Sequence, residues 1–525
     1  MAAGINGAVN VRLDDQLGTC DVLVVGSGAA GFMAALAARD GGANVILLEK
    51  ESELGGTSAC SGGWLWVPAN PVARREGVQD STAQARAYLQ HEAGERFDRE
   101  RVDAFLASCS EMVDFCESRT RVRFLAAPAF PDYHPAAPGA GTGRSICSRP
   151  FDARELGANV AYLRRPLRAL TFLGMAVSSG AELRHFTNVT RSFASAVFVA
   201  RRLMGHLFDW LGNRRGMRLT NGNALVASLL ASAMDAGVQI RRRARVLELI
   251  VQRGTVLGAL VEHEGRRMEI RATRGVVLAT GGFAHDPDRR KALFSRLHRS
   301  DVCQLAPRGN TGDGLRMAES AGARVVHALA QPAAWAPTSL VRWPDGEYGG
   351  YIHVIDRAKP GVIAVTRAGR RFVNEACSYH DFVTAMMEAC GPGNPVEAFL
   401  LCDHGTLRRY GLGYVKPFPV PIAPHLRSGY LLRRESLVDL ARVAGIDPTA
   451  LEQSVAAFNA DAEAGHDRQF GKGSGAYDRY MGDSDSSGNP CLAPVARGPF
   501  YAVRVIAGCL STYAGLATDG RARVL

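Results

Sequence analysis

The sequence predicts an α/β protein in which a doubly wound, mostly parallel sheet is joined by an inserted α+β domain. Three observations predict this class. An apolar strand at residues 21–25 runs into a glycine motif at 26–31, a second strand at 45–48 ends on Glu49, and prolines, tryptophans and short strands dominate from about Gln331. A strand, a helix and a second strand in this order form the β-α-β unit from which parallel sheets are built.

The glycine motif predicts that the first unit is Rossmann-like and binds a dinucleotide. Gly26, Gly28 and Gly31 form the pattern G-x-G-x-x-G, which lets the backbone turn tightly and approach a pyrophosphate. The helix that begins at Ala29 offers backbone N–H groups and a positive dipole end, and Glu49 can accept from a ribose hydroxyl. The alternative, a glycine-rich turn without a ligand, is disfavoured because strand, helix and acid are all in register.

Length, charge and cysteine usage limit the classes of function. At 525 residues the chain is expected to form two or more domains. The net charge of +11 favours anionic partners, but no long basic run is interleaved with aromatic residues, so no nucleic acid is expected. The eleven cysteines include no C-x-x-C pair, which argues against a disulfide framework or a metal site. Without an apolar core in residues 1–20 or an apolar run of about eighteen residues, the protein is expected in the cytoplasm.

Residues 155–218 form a basic, helical segment that the sequence can place in two ways. Its apolar residues recur at helical spacing, while Arg201 and Arg202 lie mostly off the stripe. The favoured interpretation is a helix packed on the protein's own core; the alternative is peripheral contact with anionic lipid at the inner face of the cytoplasmic membrane. The stripe comprises Phe193, Val197, Ala200, Met204, Leu207, Phe208 and Leu211.

The rest of the pattern sets the expected domain boundaries. Alternating, β-branched stretches between residues 238 and 270 predict antiparallel strands, and the strand that ends in ATGGF at 279–283 is expected to return to the first sheet. We therefore expect a dinucleotide-binding domain at 1–335 that includes the basic segment, a substrate domain at 336–496, and a return to the first domain at 497–525.

Together these elements resemble the FAD-dependent fumarate-reductase-like flavoproteins and, within them, the 3-ketosteroid Δ1-dehydrogenases. The resemblance covers nearly the whole chain. The motifs that carry it are GSGAAG at 26–31, GGTSACSGG at 55–63, ATGGF at 279–283, NTGDG at 310–314 and RRFVNE at 370–375.

The resemblance implies that the cofactor is FAD. Relatives with covalent flavin place a histidine near the GGTSACSGG segment, and no histidine lies between Glu51 and Asn70, so the FAD is expected to be non-covalent. The small residues of this segment let backbone and hydroxyl groups approach the pyrophosphate and the flavin ring. The residues expected to contact FAD are Gly26, Gly28, Ala29, Ala30, Gly31, Glu49, Lys50, Gly56, Thr57, Ser58, Ser61, Gly62, Gly63, Val246, Ala279, Thr280, Gly281, Gly312 and Asp313.

Two tyrosines are expected at the reacting site. Fumarate reductases carry an arginine proton donor shortly after the R-F-x-N-E motif, and this chain has Tyr379 there. A tyrosine can act as a base toward a C–H beside a ketone but cannot clamp a dicarboxylate, which indicates a neutral ketone as substrate. The proline-rich loop at 130–139 resembles the loop that brings a second tyrosine into the family's active site, and its position matches Tyr133. Tyr477 and Tyr480 are candidates for lining the same cleft, with surface packing as the alternative.

The mechanism implied by the resemblance introduces a double bond between C1 and C2 of the A ring of a 3-ketosteroid. Flavin N5 accepts hydride from C1, and Tyr379, assisted by Tyr133, removes a proton from C2. An ordinary tyrosine titrates near pH 10, so the base needs a hydrogen bond or a nearby positive charge. The final electron acceptor is expected to be a quinone or a similar compound.

Some features depart from the family and leave alternatives open. The family's Y-P-G-P-G segment, which polarises the C3 carbonyl, is not found before Leu525, so the flavin site is expected to be incomplete at its C-terminal edge. The alternatives are a 3-ketosteroid Δ4-(5α)-dehydrogenase or another enoate oxidoreductase of the same fold. From another class, the alternative is a catalytically silent flavin-binding or membrane-associated protein.

Overall fold

The computed structural model describes residues 18–178, 181–297, 302–343 and 345–525. The predicted absence of a secretory signal concerns residues 1–20, nearly all of which lie outside these ranges. The strands are β1 (Thr19–Val25), β2 (Val45–Leu48), β3 (Trp64–Trp66), β4 (Phe124–Ala126), β5 (Ser145–Ser148), β6 (Phe151–Asp152), β7 (Thr171–Phe172), β8 (Met175–Ala176), β9 (Arg218–Leu219), β10 (Gln239–Arg241), β11 (Ala244–Gln252), β12 (Thr255–His263), β13 (Arg266–Leu278), β14 (Val302–Gln304), β15 (Val325–Val326), β16 (Ala333–Arg342), β17 (Tyr348–Ile352), β18 (Ile363–Val365), β19 (Glu397–Asp403), β20 (Leu432–Arg434), β21 (Phe500–Thr512) and β22 (Gly515–Leu516).

The α-helices surround two main sheets. They are α1 (Ala29–Asp40), α2 (Gly56–Cys60), α3 (Pro71–Arg75), α4 (Thr82–Ala93), α5 (Arg99–Arg119), α6 (Ala181–Thr187), α7 (Phe193–Asn213), α8 (Asn221–Asp235), α9 (Pro287–Leu293), α10 (Asp313–Ser320), α11 (Tyr379–Cys390), α12 (His404–Tyr410), α13 (Ala423–Arg427), α14 (Leu437–Ala444), α15 (Pro448–Glu463) and α16 (Ala476–Met481).

The first sheet has the strand order β10-β2-β1-β13-β12-β11. Strands β10, β2, β1 and β13 are parallel, and β11, β12 and β13 form an antiparallel meander. Strand β13 therefore continues from the meander into the parallel part, as the ATGGF pattern predicts. Helices α1 and α8 pack against this sheet through a core that includes Val24, Phe32, Leu47 and Leu229. The carboxyl ends of β1, β2 and β13 consequently meet at one edge, where ligands bind in sheets of this kind.

The second sheet has the order β17-β16-β21-β19-β18, with β14 and β20 also paired to β21. Its central strand β21 is mostly buried and lies between β16 and β19. Residues 500–512, which lie within the predicted return segment at 497–525, therefore belong to this sheet. After them, β22 pairs with β15, and the Arg324 N–H donates to the Leu525 carbonyl. The domain limits remain a prediction.

Helix α7 corrects the favoured interpretation of the basic segment. Most of its large apolar side chains face outward: Phe193 is 87% exposed, Phe208 66% and Leu211 65%. The residues that α7 buries are Ser195, Val199, His206 and Asp209. The stripe therefore does not pack on the protein's own core. Within the described ranges, no helix combines the length and apolar character that crossing a bilayer requires.

Candidate active site

Two glycines of the first motif are required by the packing of the β-α-β unit itself. Gly26 has φ +109°, and a Cβ there would lie 2.2 Å from the Ala279 carbonyl oxygen. A Cβ on Gly31 would lie 1.9 Å from the Gly26 carbonyl oxygen. These two positions therefore bring α1, β1 and the end of β13 closer than any side chain allows.

Gly28 differs because nothing in the protein requires a glycine there. Its φ is −68°, which any residue adopts, and its Cβ would approach only the Ser58 hydroxyl, at 3.5 Å. A Cβ on Gly56 would likewise meet only the Gly28 Cα, at 4.0 Å. The loops of Gly28 and Gly56 therefore face each other across an open space, which methyl groups at these two positions would occupy. Such a cradle, beside the N-terminus of the 12-residue helix α1, fits the pyrophosphate of a dinucleotide.

The predicted acid Glu49 is held beside this cradle by Ser27. The Ser27 hydroxyl donates to the Glu49 carboxylate at 2.6 Å, its backbone N–H donates to the same oxygen at 3.1 Å, and it accepts from the Gly55 N–H at 2.9 Å. Sequence reasoning missed Ser27, although it lies inside the motif at a position where any small residue fits. Glu49 lies where a ribose-binding acid is expected, and its contact with the cofactor stays a prediction.

Asn310 joins three of the predicted motifs. Its side-chain amide donates to the Thr57 hydroxyl at 3.1 Å, and its side-chain oxygen accepts from the Gly282 N–H at 3.0 Å. Gly281, with φ +72°, could carry no Cβ because the Asn310 oxygen lies 2.5 Å from that point. The sequence analysis named the motif of Asn310 but not the residue itself.

The turn before α10 contains an ion pair between two of the predicted residues. Lys50 Nζ donates to the Asp313 carboxylate at 2.7 Å and to the Thr311 hydroxyl at 2.7 Å. Burial opposes ionisation of Asp313, but the hydrogen bonds from Lys50 and Thr311 and the charges of Lys50 and Arg316 together outweigh it and lower the pKa of Asp313. Gly312 is left-handed, and Thr280 packs so close to Gly314 that its hydroxyl would lie 1.8 Å from an added Cβ.

The other residues predicted to bind the cofactor border the cradle. The Ser58 hydroxyl accepts from the Ala29 N–H at 3.1 Å, and the Ser61 hydroxyl donates to the Ser58 carbonyl at 2.8 Å. Gly62 and Ala30 are exposed, and Gly63 is left-handed against Asn221. The Val246 side chain is buried in the core beneath the sheet, so only its backbone is available to a ligand.

The two predicted tyrosines meet, although they are 246 residues apart. The Tyr133 hydroxyl donates to the Tyr379 hydroxyl at 3.3 Å. Their ring centroids are 5.7 Å apart with the ring planes at 76°. Tyr133 is 39% exposed, and the burial of the rest of its side chain, followed by the neighbouring Tyr379 hydroxyl, raises its pKa above the ordinary value. Tyr133 therefore stays protonated and serves as a donor.

A buried charge network positions Tyr379 at the first turn of α11. Arg371 of the R-F-x-N-E motif donates to both Glu375, at 2.8 Å, and Asp467, at 2.9 Å. The buried Arg357 donates to the Glu375 and Cys377 carbonyl oxygens at 2.6 and 3.1 Å. Because these contacts fix the backbone just before Ser378, which caps α11, the motif acts as a frame for the tyrosine.

A second network holds the loop that carries Tyr133. Asp132 accepts from Arg144 at 2.7 Å and from the Trp66 indole N–H at 2.7 Å, and Arg144 also pairs with Asp80 at 2.8 Å. Arg144 and Asp132 are buried, so this loop is rigid on the N-terminal side of the tyrosine.

Further aromatic residues line the tyrosine pair. Tyr477 is buried and packs edge-on against Tyr133 with centroids 5.1 Å apart, whereas Tyr480 packs on Phe130 at 5.0 Å. Tyr513, which sequence reasoning did not identify, lies close enough to Tyr379 for that hydroxyl to contribute, after burial, to the raised pKa of Tyr513.

The cradle and the tyrosine pair are neighbours. The Phe283 N–H donates to the Thr512 hydroxyl at 3.1 Å, and Tyr513 follows directly in the chain. The end of β21 therefore contacts the ATGGF loop on one side and the tyrosine pair on the other.

Comparison with known proteins shows the family to which the chain belongs. A family model described as an FAD binding domain matches residues 21–525. A 4-oxocyclohex-2-ene-1-carboxylate 5-dehydrogenase from Sinomonas cyclohexanicum is 39% identical over 95% of this chain and 85% of its own length. A 3-oxosteroid 1-dehydrogenase from Mycobacterium tuberculosis is 35% identical over 96% of this chain and 90% of its own length.

A solved structure shares the whole architecture. The crystal structure of 3-ketosteroid Δ1-dehydrogenase from Sterolibacterium denitrificans, in complex with 1,4-androstadiene-3,17-dione, matches with a TM-score of 0.88. It is 34% identical in sequence, and the match covers 97% of this chain and 91% of that chain.

Proposed function

We propose that this protein dehydrogenates 3-ketosteroids between C1 and C2. The chain belongs to the FAD-binding flavoprotein family that includes the 3-oxosteroid 1-dehydrogenases, and it is an FAD-dependent oxidoreductase. The observation that carries the proposal is the hydroxyl pair of Tyr133 and Tyr379 at 3.3 Å, beside the predicted flavin cradle.

The two tyrosines have different roles in removing the proton from C2. The raised pKa of Tyr133 keeps its proton in place, so it donates to Tyr379 and stabilises negative charge there. Tyr379 is thus the group that accepts the C2 proton, whose acidity the C3 ketone raises. FAD held at the cradle of Gly28 and Gly56 would supply the oxidant for the C1 hydrogen and its electron pair, and their loss together with the C2 proton would leave a C1=C2 double bond.

The surroundings of the pair support a neutral substrate. Tyr133 has Tyr379 and Tyr477 as its ring contacts in the described part of the chain. The adjacent cation His134 is already paired with two carboxylates, Glu92 and Asp381. No guanidinium comparable to that of a fumarate reductase is therefore available to bind a substrate carboxylate among these groups.

Two candidate substrates test the proposal because both contain a ring ketone, but one is a neutral four-ring steroid and the other is a single-ring carboxylate. Purified, FAD-loaded protein is incubated with androst-4-ene-3,17-dione or with 4-oxocyclohexanecarboxylate and an artificial electron acceptor. We expect the 1,4-diene from the steroid and a much lower kcat/KM for the carboxylate. Turnover of the carboxylate alone would overturn the steroid assignment but retain the ketone chemistry. Replacing the artificial electron acceptor with a quinone tests the proposed natural oxidant.

We further propose that α7 docks on an anionic phospholipid surface. Leu173, whose carbonyl oxygen lies 3.1 Å from His206 Nε2 of α7, adds a further apolar residue that is 78% exposed. Beneath the helix lies an arginine-rich recess of about 120 Å³. Within this recess, burial and then the positive charge of the neighbouring Arg165 lower the pKa of Arg215. An apolar face beside clustered cations complements acyl chains beneath anionic headgroups. The arginines that line the recess are Arg165, Arg202, Arg214, Arg215 and Arg218.

Vesicle co-sedimentation tests the docking proposal. We expect binding to phosphatidylglycerol vesicles that exceeds binding to phosphatidylcholine vesicles and that the double change Phe208→Ser, Leu211→Ser abolishes. Val443→Ser, at an exposed apolar residue on α14, is the matched control. Equal binding to both lipids, or an unchanged double variant, would refute the proposal.

A further inference from the structure

We propose that His134 is a positioning residue that clamps the loop of Tyr133 to the first turn of α11 and so sets the contact between the two tyrosines. This inference deepens the proposed function, since it takes the tyrosine pair as the reacting site.

The clamp joins three elements through one imidazole ring. His134 Nδ1 lies 2.7 Å from a Glu92 carboxylate oxygen on α4, and its Nε2 lies 2.8 Å from an Asp381 carboxylate oxygen on α11. The same Asp381 oxygen accepts from the hydroxyl of Ser378, the N-cap of α11, at 2.7 Å. His134 follows Tyr133 directly, and Asp381 is two residues after Tyr379. The ring therefore ties together the backbones that carry the two reacting hydroxyls.

The loop has a second anchor that does not reach α11. Asp132 is bound by the buried Arg144, which also pairs with Asp80. This anchor precedes Tyr133, so the loop keeps its fold without His134. On its other side, His134 links the loop to Asp381 on the helix of Tyr379, in addition to the contact between the two tyrosines. The His134 side chain is 45% exposed, and such pairs contribute little to global stability.

The charges around the ring favour its protonated form, in which both nitrogens donate. The hydrogen bond to Asp381 raises the pKa of His134 most, and the charges of Asp381 and Glu92 add to this effect. Burial opposes them, but the pKa still rises to about 9. Two neutral or already paired groups complete its surroundings: the Tyr88 hydroxyl, which accepts from the His134 N–H at 3.4 Å, and Asp132, which Arg144 neutralises. His380, next to Asp381, has its pKa lowered mainly by burial and adds no positive charge near neutrality.

The sign of the pH effect follows from this shift. Because the pKa of His134 is raised, the clamp is complete below the ordinary histidine pKa and is lost as pH rises through about 9. The wild-type kcat is expected to fall on the alkaline side with this titration. His134→Gln and Asp381→Asn should lower kcat about ten- to a hundred-fold, because a misplaced donor loses catalytic alignment, while KM changes little. Both variants should lose the alkaline limb.

The control is Arg75→Gln, which breaks an ion pair of 2.6 Å between Arg75 on α3 and Glu117 on α5. It should leave kcat and its pH profile unchanged. Wild-type kcat and a wild-type alkaline limb in both His134→Gln and Asp381→Asn would overturn the clamp.

Hydrogen–deuterium exchange separates failure of the clamp from failure of the proposed function. In FAD-loaded His134→Gln, residues 128–143 and the first turn of α11 should exchange faster than in the wild type, with the same melting temperature. Unchanged exchange would overturn the clamp whatever the substrate proves to be. Faster exchange in a protein that desaturates no ketone would retain the clamp and refute the dehydrogenase proposal.

Discussion

The flavin cradle and the tyrosine pair are neighbouring halves of one site that are built in opposite ways. The cradle consists of backbone and small residues, and its central part lies within the continuous β-α-β unit from β1 to α2. The tyrosine pair consists of two side chains 246 residues apart, each held by its own buried ion-pair network. The difference teaches that the cofactor half depends on close approach of backbone, whereas the reacting half depends on buried charge that fixes distant segments.

Tyr379→Phe should give the largest effect, because it removes the proposed proton acceptor and leaves the cradle intact. We expect kcat to fall about 10²- to 10⁴-fold, with normal FAD absorbance. Tyr480→Phe, which alters a hydroxyl on a ring that packs against Phe130, is the matched control and should retain activity. A Tyr379→Phe enzyme within a few-fold of the wild-type kcat would assign the base to another residue.

Arg371→Gln tests the charge frame of the tyrosine half. It leaves Glu375 and Asp467 buried without their guanidinium partner, which should lower the free energy of unfolding by about 3–5 kcal/mol. Thermal unfolding measures the loss. Arg442→Gln makes the same change in an exposed pair with Asp439 and should have almost no effect. Equal melting temperatures for the two variants would contradict the frame.

Asp467 should make the same frame sensitive to acid. Burial opposes its ionisation, but the hydrogen bonds and charge of Arg371, together with the backbone hydrogen bonds from Lys472 and Phe470, prevail and lower the pKa of Asp467 to about 2. A lowered pKa stabilises the fold above the unfolded-state pKa, and this contribution, about 2–3 kcal/mol, is lost as pH falls from about 4 to 2. Asp467→Asn should flatten the melting temperature over that range. A wild-type slope in this variant would show that other carboxyls control acid unfolding.

The cradle should respond to methyl groups in two distinct ways. Gly26→Ala places a Cβ 2.2 Å from the Ala279 carbonyl oxygen and should destabilise the protein by about 1–3 kcal/mol or more. Gly28→Ala meets no protein atom closer than 3.5 Å, so the apoprotein should keep its stability while FAD affinity falls. Flavin fluorescence titration and thermal unfolding of the apoprotein separate the two. Gly205→Ala is the control, because no atom lies within 4 Å of the added Cβ. Normal FAD affinity in Gly28→Ala would refute the cradle.

Local patterns predicted the cofactor half well. The fold class is confirmed, as are FAD as cofactor and membership of the oxidoreductase family. The glycine motif and the ATGGF strand succeed because a β-α-β unit is specified by neighbouring residues. Ser27 and Asn310 were missed because a single small or polar residue carries no pattern until its hydrogen-bond partners are known.

Prediction was weaker where position depends on distant packing. The periodicity of α7 identifies a helix but cannot show which side faces the protein, and the favoured inward orientation was wrong. Strand β21 lies within the segment that was predicted to return to the first domain, and only its pairing with β16 and β19 shows which sheet it joins. An apolar stripe or strand indicates that it needs a packing partner, but it does not identify that partner.

By itself the sequence determined the β-α-β unit, its dinucleotide cofactor and the presence of a tyrosine where relatives carry an arginine, because each follows from residue type and short spacing. Only the tertiary structure decided that Tyr133 donates to Tyr379, that His134 lies between two carboxylates, and that the apolar face of α7 is exposed. These features are contacts between segments far apart in the chain, and their geometry exists only once both sheets are assembled around buried charge.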